Sequence, residues 1–318
     1  MPIQFSPVFP AHMPGRGGPP MGGQAGGPAW GGQAGARPPE HVIAAMRAQD
    51  GRFSVRVLDL HELGDWASPL IFVFQGRQIG GGFPIHPHAG FSAISLVFED
   101  SQTGLRTRDS LGNDFVVDPG GIAWTEAASG VVHDELPAEP ERELNGAQIF
   151  VNLSSEHKFG APRVFHLTGS QVPVWQSNAG DRVRVAVGSF RGVSSPIEPI
   201  EPFTLLDIDL RREIGFAIQP GHNSVVYVLD GEVRLRADGG GEQTVAGGNA
   251  LALHGSGGDV TFQASQPTHF LLLSGTEIRE PLVFDGNFIM NEPSQLEAAR
   301  ARYQSGEMGR LAPLSASR

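Results

Sequence analysis

Most of this chain is a series of short runs rich in β-branched, aliphatic and aromatic residues. Glycine, proline, asparagine or aspartate interrupts the series roughly every 8 to 12 residues, a pattern typical of β-sandwiches and β-barrels rather than of βαβ units. The fold prediction is therefore all-β. The predicted strands cover residues 53–60, 70–74, 91–99, 147–153, 182–190, 203–210, 224–237, 250–255, 260–264 and 269–275.

The two halves of the chain resemble each other. Residues 92–108 and residues 225–237 both read as a strand, an acidic turn and a second strand, and a glycine-containing turn follows each at a similar distance. A length of 318 residues corresponds to about two domains. We therefore predict two copies of one β unit, an N-terminal domain over residues 39–190 and a C-terminal domain over residues 191–290.

The N-terminal 38 residues are predicted to form a flexible arm. Residues 10–38 are rich in glycine, proline and alanine, with Trp30 as the one large aromatic residue. Such a composition buries too little apolar surface to offset the entropy of ordering. An arm that docks on the protein or on a partner through Trp30 is the alternative. The pattern of residues 39–49 predicts a short helix.

Residues 291–318 are predicted to form a C-terminal helix and tail. Ser294 and Glu297 have the spacing of a capping box, in which two side chains satisfy the free amide groups at the start of a helix. Gly306 is expected to end the helix, because glycine is favoured in the left-handed conformation that follows a last turn.

Composition excludes several classes of function. The net charge is −11, Lys158 is the single lysine, and no run of five Lys or Arg occurs, so direct binding of nucleic acid is not expected. The absence of cysteine excludes disulfides, thiolate metal ligands and cysteine nucleophiles. No apolar stretch of the ~18 residues that a membrane span needs and no signal-peptide pattern is present, so we predict a cytoplasmic protein without a membrane span.

Two pairs of possible metal ligands have the same spacing, His86 with His88 and His133 with Glu135. Side chains at i and i+2 of a strand project from one face, so two neighbouring strands would bring all four together. Three imidazoles and a carboxylate suit iron, nickel, manganese or zinc, and leave two positions open on an octahedral ion. Spacing alone leaves a chance pairing open, since the chain has 11 histidines.

The sequence around these residues resembles the pirin family of the cupin superfamily. The segments FPIHPHAGFSAISLVFE, RDSLGN, DPGGIAWTEAASGVVHDELP and AQIFVNL occur in the order found in that family, and FLLLSGTEIREPLVFDGNFIMN resembles the end of a pirin second domain. The resemblance implies a bicupin, with two cupin-type β-sandwich or barrel domains and one metal ion in the first. It also implies that the metal ligands are His86, His88, His133 and Glu135, with Fe(II) as the expected ion and Mn, Ni, Cu or Zn as alternatives.

The sequence departs from the usual family pattern beside these ligands. Ala89 follows the second histidine where the family usually has arginine, and Thr107 stands where a histidine is common. Trp124 is retained, but the segment GGIAWTEA around it differs from the usual GDVQWM. These positions surround the expected pocket, so the resemblance implies the metal more firmly than the substrate.

Some pirins are quercetin 2,3-dioxygenases, so the resemblance implies an oxygenase that uses O2 and a small aromatic, metal-chelating substrate such as a flavonol. Glu135 would bind the metal and would also accept the proton of the substrate hydroxyl, because a carboxylate at the metal is the nearest base. Two alternatives stay open at this point. One is a metal- or redox-dependent regulatory protein that acts through protein partners, and the other is a cupin that binds metal without turnover.

The histidines of the second half lack such a pattern. His222, His254 and His269 have no second histidine and no carboxylate two residues away. A metal centre needs at least three converging ligands, so we predict that the C-terminal domain binds no metal.

Overall fold

The structure is a computed structural model that describes residues 42–44, 46–50, 52–237, 241–254 and 257–313. The described residues form 26 β-strands and one α-helix, and the all-β prediction is confirmed. The predicted arm over residues 1–38, with Trp30, lies outside them. None of the helices in the described ranges has the length and apolar character that crossing a membrane requires.

The first half contains twelve strands, with a short 3-10 helix at Leu60–Trp66. They are β1 (Val42–Ala44), β2 (Met46–Asp50), β3 (Phe53–Asp59), β4 (Leu70–Ile79), β5 (Phe83–His88), β6 (Phe91–Val97), β7 (Leu105–Asp109), β8 (Asp114–Val117), β9 (Ile122–Glu126), β10 (Val131–Pro137), β11 (Glu143–Asn152) and β12 (Arg163–Leu167).

The second half contains the remaining strands and the helix. They are β13 (Val174–Gln176), β14 (Arg182–Val187), β15 (Ser189–Phe190), β16 (Val193–Ser194), β17 (Phe203–Leu210), β18 (Glu213–Ile218), β19 (His222–Asp230), β20 (Glu232–Ala237), β21 (Glu242–Ala246), β22 (Asn249–Leu253), β23 (Gly258–Gln263), β24 (Thr268–Thr276), β25 (Val283–Asp285), β26 (Phe288–Met290) and α1 (Pro293–Ser305).

Each domain is a seven-stranded sheet that faces a four-stranded sheet. In the first domain the strand orders are β12-β9-β6-β11-β4-β3-β2 and β5-β10-β7-β8. In the second domain they are β1-β22-β19-β24-β17-β14-β13 and β18-β23-β20-β21. The strands therefore correspond one to one, as the predicted repeat requires.

The N-terminal strand belongs to the sheet of the second domain. β1 pairs with β22, whereas β2 pairs with β3 of the first domain. The predicted helix over residues 39–49 is therefore wrong for its described residues, because two sheet edges offer backbone groups that an extended segment satisfies. Sheet membership also corrects the predicted domain boundary at residue 190, since β13 and β14 already pair within the second domain.

A hydrophobic core between the two seven-stranded sheets joins the domains. Along β24, Leu271 and Leu273 pack into this shared core. The alternate residues Phe270 and Leu272 pack into the core of the second domain itself. Because successive side chains of a strand point to opposite faces, the central strands of each large sheet are buried on both sides and carry apolar residues on both faces.

The segment after β24 returns to the first domain. Phe288 of β26 forms a parallel bridge with Ala89, the residue that follows β5. The amide of Ala89 donates to the Asn287 carbonyl at 3.2 Å, and the amide of Ile289 donates to the Ala89 carbonyl at 3.0 Å. Helix α1 packs on the same place, with Ala299 in one apolar cluster with Ala89. The C-terminal segment therefore covers the end of β5.

The start of α1 differs from the prediction, and its end agrees. The cap is formed by Glu292 and Gln295, whose Oε1 accepts a hydrogen bond from the Glu292 amide at 3.1 Å, so the predicted box of Ser294 and Glu297 is wrong. Proline at the first helical position fixes this start, because it needs no amide partner there. Gly306 ends the helix with φ +84°, as predicted.

Lys158 is fully buried and joins three segments of the chain. Its Nζ donates to the Gly90 carbonyl at 2.8 Å, to Asn152 Oδ1 at 2.5 Å and to the Ile289 carbonyl at 3.2 Å. Three acceptors match the three protons of an ammonium group. Burial lowers the pKa of Lys158 to about 7. Lys158 therefore holds the C-terminal segment against the turn that follows β5.

We expect Lys158→Met to lower the free energy of unfolding by about 3 kcal/mol, because three buried acceptors lose their donor. Guanidinium denaturation of the full chain measures this change. Arg300→Met is the matched control, because Arg300 also joins elements of the C-terminal segment, through an exposed ion pair with Asp285. Exposed pairs contribute about 0.5 kcal/mol, so equal effects of the two substitutions would contradict the role given to Lys158.

Candidate metal centre

Two neighbouring strands of the first domain carry the four predicted ligands. His86 and His88 lie on β5, and His133 and Glu135 lie on β10. The strands pair in antiparallel fashion, with His133 opposite His86. The pairing is irregular between His133 and Glu135, so that Glu135 stands opposite Phe83.

The three histidines converge. His86 Nε2 lies 3.1 Å from His88 Nε2 and 2.9 Å from His133 Nε2. All three residues offer ligand atoms within 4.8 Å of one another. Two nitrogens bound about 2.1 Å from one metal ion lie about 3.0 Å apart at a right angle and about 3.4 Å apart at a tetrahedral angle. The two observed distances thus fit an ion on which His86 is adjacent to both His88 and His133, close to right angles.

The histidines are in the protonation state that binds metal. Burial lowers the pKa of His133 to about 4, and burial together with repulsion from His133 lowers the pKa of His86 to about 4. Burial also lowers the pKa of His88 well below its ordinary value. His86 Nδ1 lies 2.7 Å from the Pro84 carbonyl, to which it donates in the neutral ring, leaving the Nε2 lone pair for the site. All three rings are therefore neutral near pH 7, as a metal requires.

Glu135 is placed outside the group of three histidines. Its Oε1 accepts a hydrogen bond from Ser95 Oγ at 2.5 Å, and its Oε2 accepts one from Gln148 Nε2 at 2.7 Å. Burial raises the pKa of Glu135, and both hydrogen bonds oppose that shift. Its predicted role as a fourth ligand stays a prediction.

The sequence prediction missed Ser95 and Gln148. They stand opposite each other on β6 and β11, on the face of the seven-stranded sheet that looks toward β10. Each is a polar residue whose neighbours two positions away on the same face are not polar, Ala93 and Val97 on β6 and Gly146 and Phe150 on β11. A polar residue at such a position was the sequence signal for this contact, because a buried polar side chain needs a polar partner.

Phenylalanine side chains surround the histidines. The ring centroid of His88 lies 5.0 Å from that of Phe91 and 5.6 Å from that of Phe150. Phe74 extends this wall, 5.4 Å from Phe150. Phe83, which is 37% exposed, lies 6.4 Å from His86. The site is therefore an apolar, aromatic environment with a few polar groups, as small-molecule sites usually are.

Ala89 and Thr107, two of the departures from the family pattern, are buried. Ala89 is fully buried in the cluster that the C-terminal segment forms with β5 and β10. Thr107 stands opposite Glu135 on β7, and its Oγ1 donates to the Asp134 carbonyl at 3.4 Å. Neither residue brings a charge to the site.

The histidines of the second domain are each next to a single polar partner. The pairs are His269 with Asp207 at 2.6 Å, His222 with Thr276 at 3.3 Å and His254 with Glu277 at 3.8 Å. Where β5 and β10 carry ligands, the corresponding strands β18 and β23 place Ile214 opposite Phe262 and Phe216 opposite Val260. A metal-free second domain stays a prediction, and these apolar residues agree with it.

Comparison with known proteins identifies the family. The family model described as Pirin matches residues 45–151, and the model described as Pirin C-terminal cupin domain matches residues 205–309. The chain belongs to the pirin family. Its two domains are cupins, followed by one short helix.

Individual relatives of this pirin-family chain cover most of its length. A Pseudomonas aeruginosa protein, named as a candidate quercetin 2,3-dioxygenase, is 32% identical over 233 residues, or 71% of this chain and 79% of that protein. Pirin of Homo sapiens is 29% identical over 274 residues, or 85% of this chain and 90% of that protein.

Two solved structures show the same fold. Quercetin 2,3-dioxygenase from Acinetobacter baumannii matches with a TM-score of 0.75 and 22% identity, covering 87% of this chain and 99% of that chain. A bacterial pirin from Escherichia coli in complex with nickel(II) matches with a TM-score of 0.56 and 18% identity, covering 75% of this chain and 100% of that chain.

The buried histidines predict how the metal-free protein responds to pH. Burial lowers the pKa of His133 in the folded protein to about 4, below the ordinary histidine value of 6.5. As the pH falls, the unfolded chain therefore binds a proton at His133 before the folded protein does. The contribution of neutral His133 to stability is complete above about pH 6.5 and is lost as the pH falls to about 4.

We expect chelator-treated His133→Gln to lose less stability than the wild type between pH 6.5 and pH 4. The difference should approach about 3 kcal/mol, because the variant lacks one group that the unfolded chain protonates first. Urea denaturation at a series of pH values measures it. Parallel pH dependences of wild type and variant would show that His133 is not held neutral by the fold.

Proposed function

We propose that this pirin-family protein is a mononuclear non-haem Fe(II) oxygenase of the quercetin 2,3-dioxygenase type. The observation that supports the proposal is the set of three neutral imidazoles, with His88 and His133 buried and His86 half-buried. His86 Nε2 lies 2.9 Å from His133 Nε2 and 3.1 Å from His88 Nε2. We assign His86, His88 and His133 as ligands, with Glu135 as the fourth predicted one. Mn, Ni, Cu and Zn are the alternative ions for this ligand type.

Fe(II) held by these residues would supply Lewis-acid and redox chemistry for O2 and for a chelating, flavonol-like substrate. The protein would contribute the apolar surroundings of the ion and the substrate. The phenylalanine wall that includes Phe91 and Phe150 excludes water and offers apolar surface to a flat aromatic molecule. The name of the Pseudomonas aeruginosa relative supports this substrate class.

Glu135 is proposed as the base that accepts the proton of the substrate hydroxyl. Burial raises the pKa of its carboxyl group, which makes the carboxylate a better proton acceptor than an exposed one. Its hydrogen bonds to Ser95 and Gln148 fix its position in the barrel interior. A cupin that holds metal without turnover is the outcome if no flavonol is consumed, and a role through protein partners stays an alternative.

We expect the purified protein to contain about one iron per chain and His88→Ala to lose it, because a site with two remaining imidazoles binds the ion far more weakly. Elemental analysis after anaerobic Fe(II) loading measures this content. His222→Ala is the control, because this histidine lies in the second domain beside Thr276 and should leave the iron in place. Little metal in the wild type after loading would contradict the metal centre.

We expect Glu135→Gln to lower the turnover of quercetin by a factor of about 100 or more, the usual contribution of a general base. Turnover is followed by loss of flavonol absorbance together with O2 uptake, and the iron content of each sample is measured alongside. The base role is wrong if Glu135→Gln keeps its metal and turns over at the wild-type rate.

A further inference from the structure

The hydrogen bonds of Glu135 come entirely from the opposite sheet. Ser95 on β6 and Gln148 on β11 stand side by side in register, and each donates to a different oxygen of the carboxylate. Glu135 and Ser95 are both buried, with 2% and 7% exposure. Hydrogen bonds to a charged acceptor are about twice as strong as neutral ones, so this pair of donors is a strong binding site for the carboxylate.

The backbone of β10 is regular at Glu135. On the β7 side, His133 stands opposite Asp109 and Glu135 opposite Thr107, two positions apart on each strand. The extra residue of the irregular pairing lies on β5, where Pro84 and Ile85 separate Phe83 from His86, whereas Asp134 alone separates Glu135 from His133. His133 and Glu135 therefore project from the same face of β10, yet the group of converging atoms contains the three histidines without Glu135. The difference lies in the partners of the carboxylate, which are Ser95 and Gln148 of the opposite sheet.

We propose that Ser95 and Gln148 are positioning residues that compete with the metal ion for Glu135. The ion is then held by three imidazoles, and the carboxylate is a ligand that detaches onto its two donors. When the Glu135 carboxylate is hydrogen-bonded to Ser95 and Gln148 instead of bound to the ion, one further coordination position is open to a chelating molecule. This inference rests on the proposed metal centre, and it concerns the carboxylate's position rather than its protonation.

If Ser95 and Gln148 compete with the metal ion for Glu135, their removal changes the metal affinity in the opposite direction from the removal of residues that support a ligand. Outer residues that support a ligand typically weaken metal binding about 10- to 100-fold when they are removed. Residues that compete for the ligand strengthen metal binding when they are removed, because the released carboxylate then has the ion as its main partner. The direction of the change in affinity thus separates the two roles.

Anaerobic titration of the chelator-treated full chain with Co(II) tests the proposal. Gln148→Met removes the donor at similar size, and Ser95→Ala is the second variant should the first fail to fold. We expect each to bind Co(II) about tenfold more tightly than the wild type and to change the visible Co(II) spectrum, because the ion gains a carboxylate oxygen. Ser224→Ala is the matched control, since it removes a buried hydroxyl hydrogen bond, with Ser274, in the second domain.

A double-mutant cycle completes the test, because coupled residues give non-additive effects. With Glu135→Gln in place, Gln148→Met should no longer change the Co(II) affinity or spectrum. Weaker or unchanged binding in both Gln148→Met and Ser95→Ala would overturn the competition while leaving the metal centre intact. No Co(II) binding by the wild type would instead overturn the metal centre itself, and the inference with it.

Discussion

The antiparallel pairing of β5 with β10 is the interaction on which the candidate site depends, because it sets His86 opposite His133. β5 is an edge strand of its four-stranded sheet, so that sheet holds only one of its sides. Past the end of β5, the C-terminal segment bonds to Ala89, and Lys158 joins the Gly90 and Ile289 carbonyls. The positions of His86 and His88 in the first domain therefore depend on the C-terminal segment, which follows the second domain in the chain.

Three neutral imidazoles, with the Nε2 atom of His86 about 3 Å from those of the other two, are not an arrangement that packing alone favours. Burial keeps each ring neutral, and lone pairs that face one another are stabilised only by a shared proton or cation. The surrounding phenylalanines exclude the water that would otherwise satisfy these nitrogens. Three facing imidazoles thus lower the stability of the metal-free fold, and binding of a metal ion would offset this destabilisation.

The sequence predicts what local patterns determine. Strand periodicity and turn residues gave the all-β fold, and the i, i+2 rule brought together His86, His88 and His133. The rule also places Glu135 on the face of His133, but it cannot show that Ser95 and Gln148 hold the carboxylate, because that contact joins strands that are far apart in the sequence. Residues 42–50 were mistaken for a helix for a related reason: their strands exist only because distant sheet edges accept them.

The two domains show how one strand arrangement serves two purposes. Both four-stranded sheets begin with an antiparallel pair whose side chains meet inside the barrel. In the second domain Ile214, Phe262 and Val260 occupy that pair and belong to a continuous apolar core. In the first domain histidines and Glu135 replace such residues, and every buried polar group there needs a partner. The apolar interior of the second barrel and the core between the sheets can therefore stabilise the molecule by hydrophobic packing. The barrel of the first domain can then carry the buried polar groups that a metal centre requires.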